Sequence, residues 1–486
     1  MGGGRQTRQP QLNAARPTSA AIPTVQPRAG RPELADIQAL FSRRSLWRSW
    51  LEVEAALAEV QAELGLIPAA AAREIRSKAN LEAINEDALA ADIGRTRAPI
   101  LSLARALGNA CAGDAGGYVH WGATTQNVLQ TGRAMLMRRA HDAFMVRLGD
   151  VLHKLAGLAE SSADILTVGR TNHRHALPVT FGFKVAAWIE ELLRHRERLV
   201  GAEPRVFLSL WGGAIGAMHA FGEHGPEINR RLSQRLGLFP MAVPSRAGTD
   251  HVAEYVLLLA LFSATCSKIA REFYALMADE FGEVYEQLGD EVVGSSTMPH
   301  KVNSKIAVQV IALAARVRSQ VPLALEAMQP THEGDAANNQ MLYGLMDGIC
   351  PLAYELIDEM DELLGCIRIV PERMQRNLEL SASVIAAENA MMVLAPALGR
   401  TRAHDLLHHA VAERPDSGAS LVEVLLGHPE VRAAVDERVL RESLDPALYT
   451  GRSAIMAREM AGMARAAARD LQRRPWAETT ARKSID

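Results

Sequence analysis

The sequence predicts an all-α protein with three helical domains, of which the middle one holds a long helix bundle. After residue 33, apolar residues recur at steps of three and four along most of the chain, which is the spacing of one helix face. The predicted helices exceed the globular average of about 11–12 residues, and alternating β-branched runs stay short. Long helices that are apolar on more than one face must pack against other helices, so the pattern favours an extended bundle.

The individual elements follow from the same spacing. The first long helix is predicted from Trp47, with apolar residues continuing to Leu64 before Pro68 closes the segment. Five further long helices are predicted at about residues 131–160, 179–199, 251–288, 305–327 and 338–364. After Val370 the helical patterns are shorter and broken by prolines. We therefore predict a disordered tail over residues 1–32, an N-terminal helical domain over 33–125, the central bundle over 126–369 and a small C-terminal helical domain over 370–486.

Composition excludes several classes of protein. The formal net charge is −3 and neither sign dominates a long segment, so nucleic-acid binding has no electrostatic footprint beyond the N-terminal arginines. The longest apolar run, Tyr255 to Cys266, covers about half of the roughly 20 residues that a membrane helix needs. The tail lacks the apolar centre of a secretory signal, and the four cysteines are widely spread without a C-x-x-C pair. We expect a cytoplasmic protein without membrane or nucleic-acid partners.

Three polar clusters lie at the ends of the predicted long helices. They are the first motif at residues 120–127, the second at 169–178 and the third at 294–305. The first precedes a helix whose free N–H groups favour an anion, although Thr125 or Asn127 could simply cap that helix. The second holds two arginines and two histidines within six residues, more donors than a solvated loop needs. In the third, Ser295 can lose a proton while Lys301 and Asn303 hold a carboxylate and the charge that builds beside it.

Together the motifs resemble those of the fumarase/aspartase superfamily, in family order and over roughly residues 35–480. The local sequence is most similar to the branch of adenylosuccinate lyase and 3-carboxymuconate cycloisomerase. The most specific match is the string Gly-Ser-Ser-x-Met-Pro-x-Lys-x-Asn of the third motif. The resemblance implies a homotetramer with a twenty-helix core and active sites that each combine one motif from three subunits. It also implies a lyase that acts on a small dicarboxylate and needs no metal or cofactor.

The resemblance assigns roles residue by residue. Ser295 corresponds to the general base that takes the β-proton, and Lys301 and Asn303 bind the carboxylate beside the developing carbanion. Deprotonation next to a carboxylate creates a dianion, which needs a cation and N–H donors already in place. The other predicted substrate-binding residues come from the same motifs: Thr124, Thr125, Gln126, Arg170, Thr171, Asn172, Arg174 and Met298.

The second motif departs from the family at two positions. Many members carry a histidine that helps to protonate the leaving group where this chain has Asn172, which cannot donate that proton, although His173 or His175 could stand in. Arg174 replaces a glutamine and offers a planar fork of donors that fits a nitro or carboxylate group. We therefore predict a lyase that releases fumarate from a substituted succinate with an anionic leaving group, and we favour nitrite leaving nitrosuccinate.

Three alternatives stay open. A 3-carboxy-cis,cis-muconate cycloisomerase would also lack the acid histidine. A C–N lyase of the adenylosuccinate type fits less well, because the arginine of that branch's His-Glu-Arg-Asp string is Gly334 here. A non-catalytic structural homologue is the third, and the presence of Ser295, Lys301 and Asn303 argues against it.

Overall fold

The computed structural model describes residues 32–289, 291–292, 295–298, 300–417 and 419–474. The predicted tail lies outside this part except for Pro32, whose carbonyl accepts a hydrogen bond from the Tyr354 hydroxyl. Gly294 and Pro299 of the third motif also lie outside it. The described chain holds nineteen α-helices and only three two-stranded sheets, so the predicted mainly helical fold is confirmed.

The N-terminal part contains one long helix among four shorter ones. They are α1 (Leu34–Leu40), α2 (Arg43–Glu63), α3 (Ala69–Lys78), α4 (Glu86–Thr96) and α5 (Pro99–Ala110). The long helix α2 is the one predicted from Trp47, and it begins earlier because the Ser42 hydroxyl accepts a hydrogen bond from the N–H of Ser45.

The central part contains seven helices, among them the longest of the described chain. They are α6 (Thr125–Ser161), α7 (Phe181–Val206), α8 (Gly225–Arg235), α9 (Asp250–Leu276), α10 (Ile306–Arg318), α11 (Val321–Ala327) and α12 (Ala336–Cys366). Helix α6 has 37 residues and is therefore about 55 Å long. It is buried along most of its length, with α2, α7 and α12 packed around it. The first motif lies at its N-terminal end.

Two of the predicted central helices end or break earlier than expected. The helix predicted over 251–288 ends at Leu276; the chain then turns, passes Gly282 in the left-handed region (φ +61°) and becomes extended. The helix predicted over 305–327 divides into α10 and α11. Pro322 lies in the first turn of α11, where the missing N–H of proline costs nothing.

The strands are short and pair in twos. They are β1 (Leu166–Thr171) with β2 (Arg174–Thr180), β3 (Leu208–Ser209) with β4 (Phe239–Pro240), and β5 (Val284–Glu286) with β6 (Ile367–Ile369). The first and third pairs are antiparallel and the second is parallel. The second motif, which we predicted only as a polar cluster at the end of a long helix, is therefore a β-hairpin. Its strands bring β-branched side chains together, as where Thr167 pairs with Val179.

The C-terminal part separates into a small cluster and one returning helix. Its helices are α13 (Pro371–Glu379), α14 (Ala387–Leu398), α15 (Arg400–Ser417), α16 (Leu421–Gly427), α17 (Pro429–Ala434), α18 (Glu437–Ser443) and α19 (Ser453–Gln472). Apolar residues of α14 to α18 form a core of their own. Helix α19 instead packs along α6 and α7 and joins the main core through its buried alanines. The Gln472 amide donates a 2.9 Å hydrogen bond to the Asp150 carboxylate of α6.

The central helices also carry large apolar side chains on the outside of the single chain. These are Leu257, Leu261, Tyr274, Val308, Leu323 and Leu325. In the described part of the chain, α9 and the stretch Ile306–Ala327 are long and apolar enough to cross a membrane. The core helices of globular proteins meet the same criterion, and 67% of the apolar stretch of α9 is buried in the bundle. For Ile306–Ala327 the buried share is 28%, so the described residues leave most of its apolar surface uncovered.

Candidate functional site

The first motif caps the N-terminus of α6. The Asn127 side chain accepts a 3.1 Å hydrogen bond from the N–H of Thr124, which makes Thr124 the cap residue. Thr125 is exposed, whereas Gln126 and Asn127 are buried. Of the three predicted substrate contacts in this motif, Thr124 and Thr125 therefore face the helix end, where free N–H groups favour an anion.

Gln126 has its amide engaged within the protein. Its Oε1 accepts hydrogen bonds from Arg246 Nε (2.6 Å) and Asn339 Nδ2 (3.3 Å). Its Nε2 lies within hydrogen-bond distance of Gln130 Oε1 and the Arg246 carbonyl. The side chain is 2% exposed. Gln126 thus connects the first motif to the segment before α9 and to the start of α12.

His120 forms a dyad with Glu54, a partner 66 residues away that no sequence pattern indicates. The backbone N–H of His120 donates a 3.0 Å hydrogen bond to the buried carboxylate of Glu54, and the ring Nδ1 lies 2.6 Å from the same carboxylate. The residue adopts a left-handed backbone conformation (φ +61°), which is strained for histidine and is seen chiefly where surrounding contacts enforce it. Burial opposes protonation, but the hydrogen bond and charge of Glu54 outweigh it and raise the pKa of His120 from its ordinary 6.5. Such a histidine can donate a proton near neutral pH.

The tip of the second motif is a two-residue turn. Thr171 pairs with Arg174, and the two residues between them, Asn172 and His173, both adopt left-handed conformations (φ +51° and +61°). This is the signature of a type I′ turn, in which asparagine is a favoured residue. All four residues are exposed. The turn therefore gives a conformational reason for asparagine at position 172. This reason is separate from the chemical one, that an anionic leaving group needs no proton donor at this position.

Arg170 anchors the same hairpin next to its tip. Its guanidinium donates hydrogen bonds to the buried carboxylate of Glu283 and lies over the Phe281 ring at 4.9 Å. Asn377 Nδ2 donates to the same carboxylate at 2.8 Å. Although the sequence predicts Arg170 as a substrate contact, its charge is compensated within the protein. Arg174 makes no ion pair with any described residue and is exposed.

His175 joins the hairpin to the C-terminal part. Its Nδ1 lies 2.8 Å from the Ser381 hydroxyl. Burial, together with the positive charges of Arg170 and Arg174, lowers the pKa of His175. The imidazole is therefore predominantly neutral at neutral pH and is a poorer proton donor than His120.

The third motif presents the predicted base on an exposed loop. The Ser295 Oγ accepts hydrogen bonds from the N–H groups of Met298 (3.1 Å) and Thr297 (3.4 Å). These donors stabilise negative charge on the oxygen, which a serine that acts as a base requires. Met298, Lys301 and Asn303 are exposed on the same loop. Lys301 forms no ion pair with any residue of the described part of the loop.

Glu286 fixes the end of that loop. Its carboxylate accepts hydrogen bonds from the Ser304 hydroxyl and from the N–H groups of Lys305, Ile306 and Ala307, at distances of 2.7 to 3.3 Å. A carboxylate at this place satisfies the free donors of the first turn of α10 and complements the helix dipole. The loop is thus tied to strand β5.

The contacts described above attach each of the three motifs to different residues of the chain. The first motif contacts α12 and the segment before α9, the second contacts Glu283 and Ser381, and the third contacts Glu286. None of these hydrogen bonds joins one motif to another. Most of the predicted site residues are solvent-exposed in the single chain.

Comparison with known proteins identifies the family. Residues 32–318 match the family model described as Lyase, and residues 383–460 match the one described as Adenylosuccinate lyase C-terminus. The adenylosuccinate lyase of Methanothermobacter thermautotrophicus is 35% identical over 89% of this chain and 96% of its own length. The N-acetyl-S-(2-succino)cysteine lyase of Dickeya dadantii is 33% identical over 87% of this chain and 92% of its own.

Solved structures agree with this assignment. The fumarate lyase from Mesorhizobium sp. BNC1 has a TM-score of 0.80 at 33% identity, covering 90% of this chain and all of that one. The 3-carboxy-cis,cis-muconate lactonizing enzyme from Pseudomonas putida has a TM-score of 0.77 at 32% identity, covering 90% and 97%. The chain therefore belongs to the fumarase/aspartase superfamily of lyases.

Proposed function

We propose that this enzyme is a cofactor-free β-elimination lyase that releases fumarate from a substituted succinate. Ser295 takes the β-proton, and Lys301 and Asn303 stabilise the dianion that forms beside the carboxylate. Thr124, Thr125 and Thr171 hold the substrate's carboxylates. Met298 contacts the substrate from the same loop as the base. The leaving group departs next to the hairpin tip.

One observation carries this proposal. Ser295 Oγ accepts two backbone hydrogen bonds on a loop where Lys301 has no described acidic partner. Proton transfer to a serine oxygen requires surroundings that favour the alkoxide, and the two backbone N–H donors to Ser295 contribute to them.

The lack of hydrogen bonds between the motifs among the described residues, together with the exposed apolar side chains of the central helices, supports assembly in a homotetramer. In the proposed division, residues 126–369 form the central domain, and its exposed leucines and Tyr274 would be covered by other subunits. Each active site would then combine the first, second and third motifs of three different chains. Residues 33–125 and 370–474 would flank the shared core.

For the leaving group we favour nitrite, so that the substrate is nitrosuccinate. Arg174 is exposed beside the turn, and its guanidinium presents two parallel donors to a nitro group. Nitrite is a stable anion and needs no proton as it departs. A succinyl thioether is the second candidate, because a relative at 33% identity is a lyase of N-acetyl-S-(2-succino)cysteine. Departure of a thiol would call on the protonated His120.

A substrate panel tests the proposal. Purified enzyme is incubated separately with nitrosuccinate, N-acetyl-S-(2-succino)cysteine, adenylosuccinate and 3-carboxy-cis,cis-muconate, and fumarate, nitrite, free thiol and lactone are measured. Fumarate with nitrite is the expected result. Release of fumarate together with a free thiol, or together with the nucleotide amine, would support β-elimination but with a leaving group other than nitrite. Lactone without fumarate would make the enzyme a cycloisomerase, and no product from any substrate would contradict the proposal.

The role of Ser295 is tested with its neighbour as a control. We expect Ser295→Ala to lower kcat by about a thousandfold, which is typical of losing a general base. Ser296→Ala removes a hydroxyl from the adjacent exposed position and should leave kcat within a few-fold of wild type. Equal activity of the two variants would exclude Ser295 as the base.

A further inference from the structure

We propose that Arg246 is a further substrate-binding residue of this site, where it holds a carboxylate of the dicarboxylate substrate next to the first motif. This inference rests on the proposed function and deepens it. No motif points to Arg246 in the sequence, because it lies 120 residues from its partner Gln126 and in a segment without other charged donors.

The guanidinium of Arg246 is oriented only by neutral acceptors. Its Nε donates to Gln126 Oε1 at 2.6 Å and its Nη1 to the Ala214 carbonyl at 2.8 Å. Among the described residues no carboxylate forms an ion pair with it, and its Nη2 donates to none of them. A half-buried guanidinium that is held in place without a counter-charge is prepared to bind an anion through the remaining N–H groups.

The contacts of Gln126 suit a role in orienting Arg246 better than a role in direct substrate binding. The side chain is 2% exposed, and both ends of its amide already meet protein groups. Its Nε2 also lies 3.1 Å from the Arg246 carbonyl, so the two residues contact each other through both side chain and backbone. Gln126 is therefore a positioning residue for Arg246, whose charge reaches the substrate.

Gly334 provides the space in which the guanidinium lies. A Cβ placed at position 334 would be 3.4 Å from both Cζ and Nη2 of Arg246. A longer side chain at position 334 would displace the Arg246 guanidinium or cover its Nη2, the guanidinium nitrogen that has no partner among the described residues. The glycine therefore keeps Nη2 open, on the same side of the bundle as the N-terminus of α6, whose free N–H groups also favour an anion.

The test measures dianion binding separately from turnover. Fumarate, succinate and inorganic phosphate are titrated by calorimetry into full-length wild-type enzyme and into Arg246→Gln, Arg246→Lys and Gly334→Val. Arg205→Gln is the matched control, because Arg205 is an exposed arginine paired with Glu254 on the surface. We expect Arg246→Gln to weaken fumarate and succinate binding at least tenfold, Arg246→Lys to be intermediate, Gly334→Val to resemble Arg246→Gln, and Arg205→Gln to match wild type.

Thermal unfolding of the same proteins distinguishes binding from folding. If Arg246→Gln retains wild-type affinity for all three anions, or if wild type binds none of them, the inference is overturned. A second outcome would also overturn the inference. If Arg246→Gln and Arg246→Lys lower Tm equally, and anion affinity falls only in proportion to that loss of Tm, Arg246 has a structural role. Turnover that survives Ser295→Ala would contradict the proposed base while leaving the anion-binding result intact, so the two failures can be told apart.

Discussion

Glu286 accepts a 2.8 Å hydrogen bond from the hydroxyl of Ser304, the residue that ends the exposed loop of the third motif. The same carboxylate caps α10 through three backbone N–H groups. Three residues earlier, Glu283 holds Arg170 of the second motif. Strand β5 and the residue before it therefore anchor two of the three motifs through acidic side chains. Of the predicted substrate-binding residues, these two carboxylates contact only Arg170.

Removal of the Glu286 anchor should impair catalysis more than stability. We expect Glu286→Ala to lower kcat at least tenfold, because the loop carrying Ser295 and Lys301 loses its fixed end, and to cost about 1–3 kcal/mol for the unsatisfied helix donors. Ser304→Ala removes one of four hydrogen bonds and should lower kcat only a few-fold. Steady-state kinetics and denaturant unfolding measure both quantities. A Glu286→Ala enzyme with wild-type kcat would show that this anchor does not set the loop geometry.

The two arginines of the second motif should behave differently. Arg170→Met leaves the buried carboxylate of Glu283 unpaired and should cost about 3–5 kcal/mol of stability. Arg174→Gln changes an exposed side chain and should leave Tm nearly unchanged while lowering kcat/KM for nitrosuccinate at least tenfold. Kinetics and thermal unfolding of both variants provide the comparison. Equal losses of stability and activity in Arg174→Gln would remove it from the leaving-group pocket.

The pH dependence should identify the dyad of His120 and Glu54. The carboxylate raises the pKa of His120, so the pair stabilises the fold fully below pH 6.5 and loses that contribution as pH rises through the raised value. Glu54→Gln lowers this pKa and should move the alkaline limb of kcat to lower pH if His120 protonates the leaving group. With nitrite as the leaving group, His120→Gln should cost little kcat. Two results would contradict this. One is a large loss of kcat on nitrosuccinate in His120→Gln, and the other is an alkaline limb of kcat that does not move in Glu54→Gln.

His173 offers a test of the turn. A non-glycine residue in left-handed conformation costs roughly 1 kcal/mol, and Asn-Gly is the preferred pair for a type I′ turn. We therefore expect His173→Gly to stabilise the protein by about 0.5–1 kcal/mol without changing kcat. Turnover that fell tenfold in this better-folded variant would assign His173 to the chemistry instead.

The acid stability of the fold should depend on Glu203 in α7. Burial opposes its ionisation, but hydrogen bonds from His141 and Arg474 lower the pKa of Glu203 to about 2. A depressed carboxyl pKa stabilises the fold above the ordinary value of 4.5, and the contribution is lost as pH falls from 4.5 towards 2. Glu203→Gln should lose about 3 kcal/mol at pH 7 and flatten the acid limb of stability. Urea unfolding at several pH values measures this, and an unchanged acid limb would argue against it.

Local patterns predicted the long helices and the place of the third motif, because helical spacing and a specific string are properties of neighbouring residues. The hairpin was missed because its turn is Asn172-His173, a pair that carries a weaker signal than Asn-Gly, and its strands are only six and seven residues long. The partners Glu54, Glu283 and Arg246 could not be predicted. Each lies between 66 and 120 residues from the motif that it contacts, and only the packed bundle brings them together.

The position of α19 has a consequence for how the chain is made. Gln472 contacts Asp150 across 322 residues of sequence, and the alanine face of α19 covers a strip of α6. During synthesis that strip of the longest helix stays exposed to the cell until a segment some three hundred residues downstream has emerged. Chains that stall in between present an uncovered apolar surface, which is the kind of surface that chaperones recognise and that aggregates.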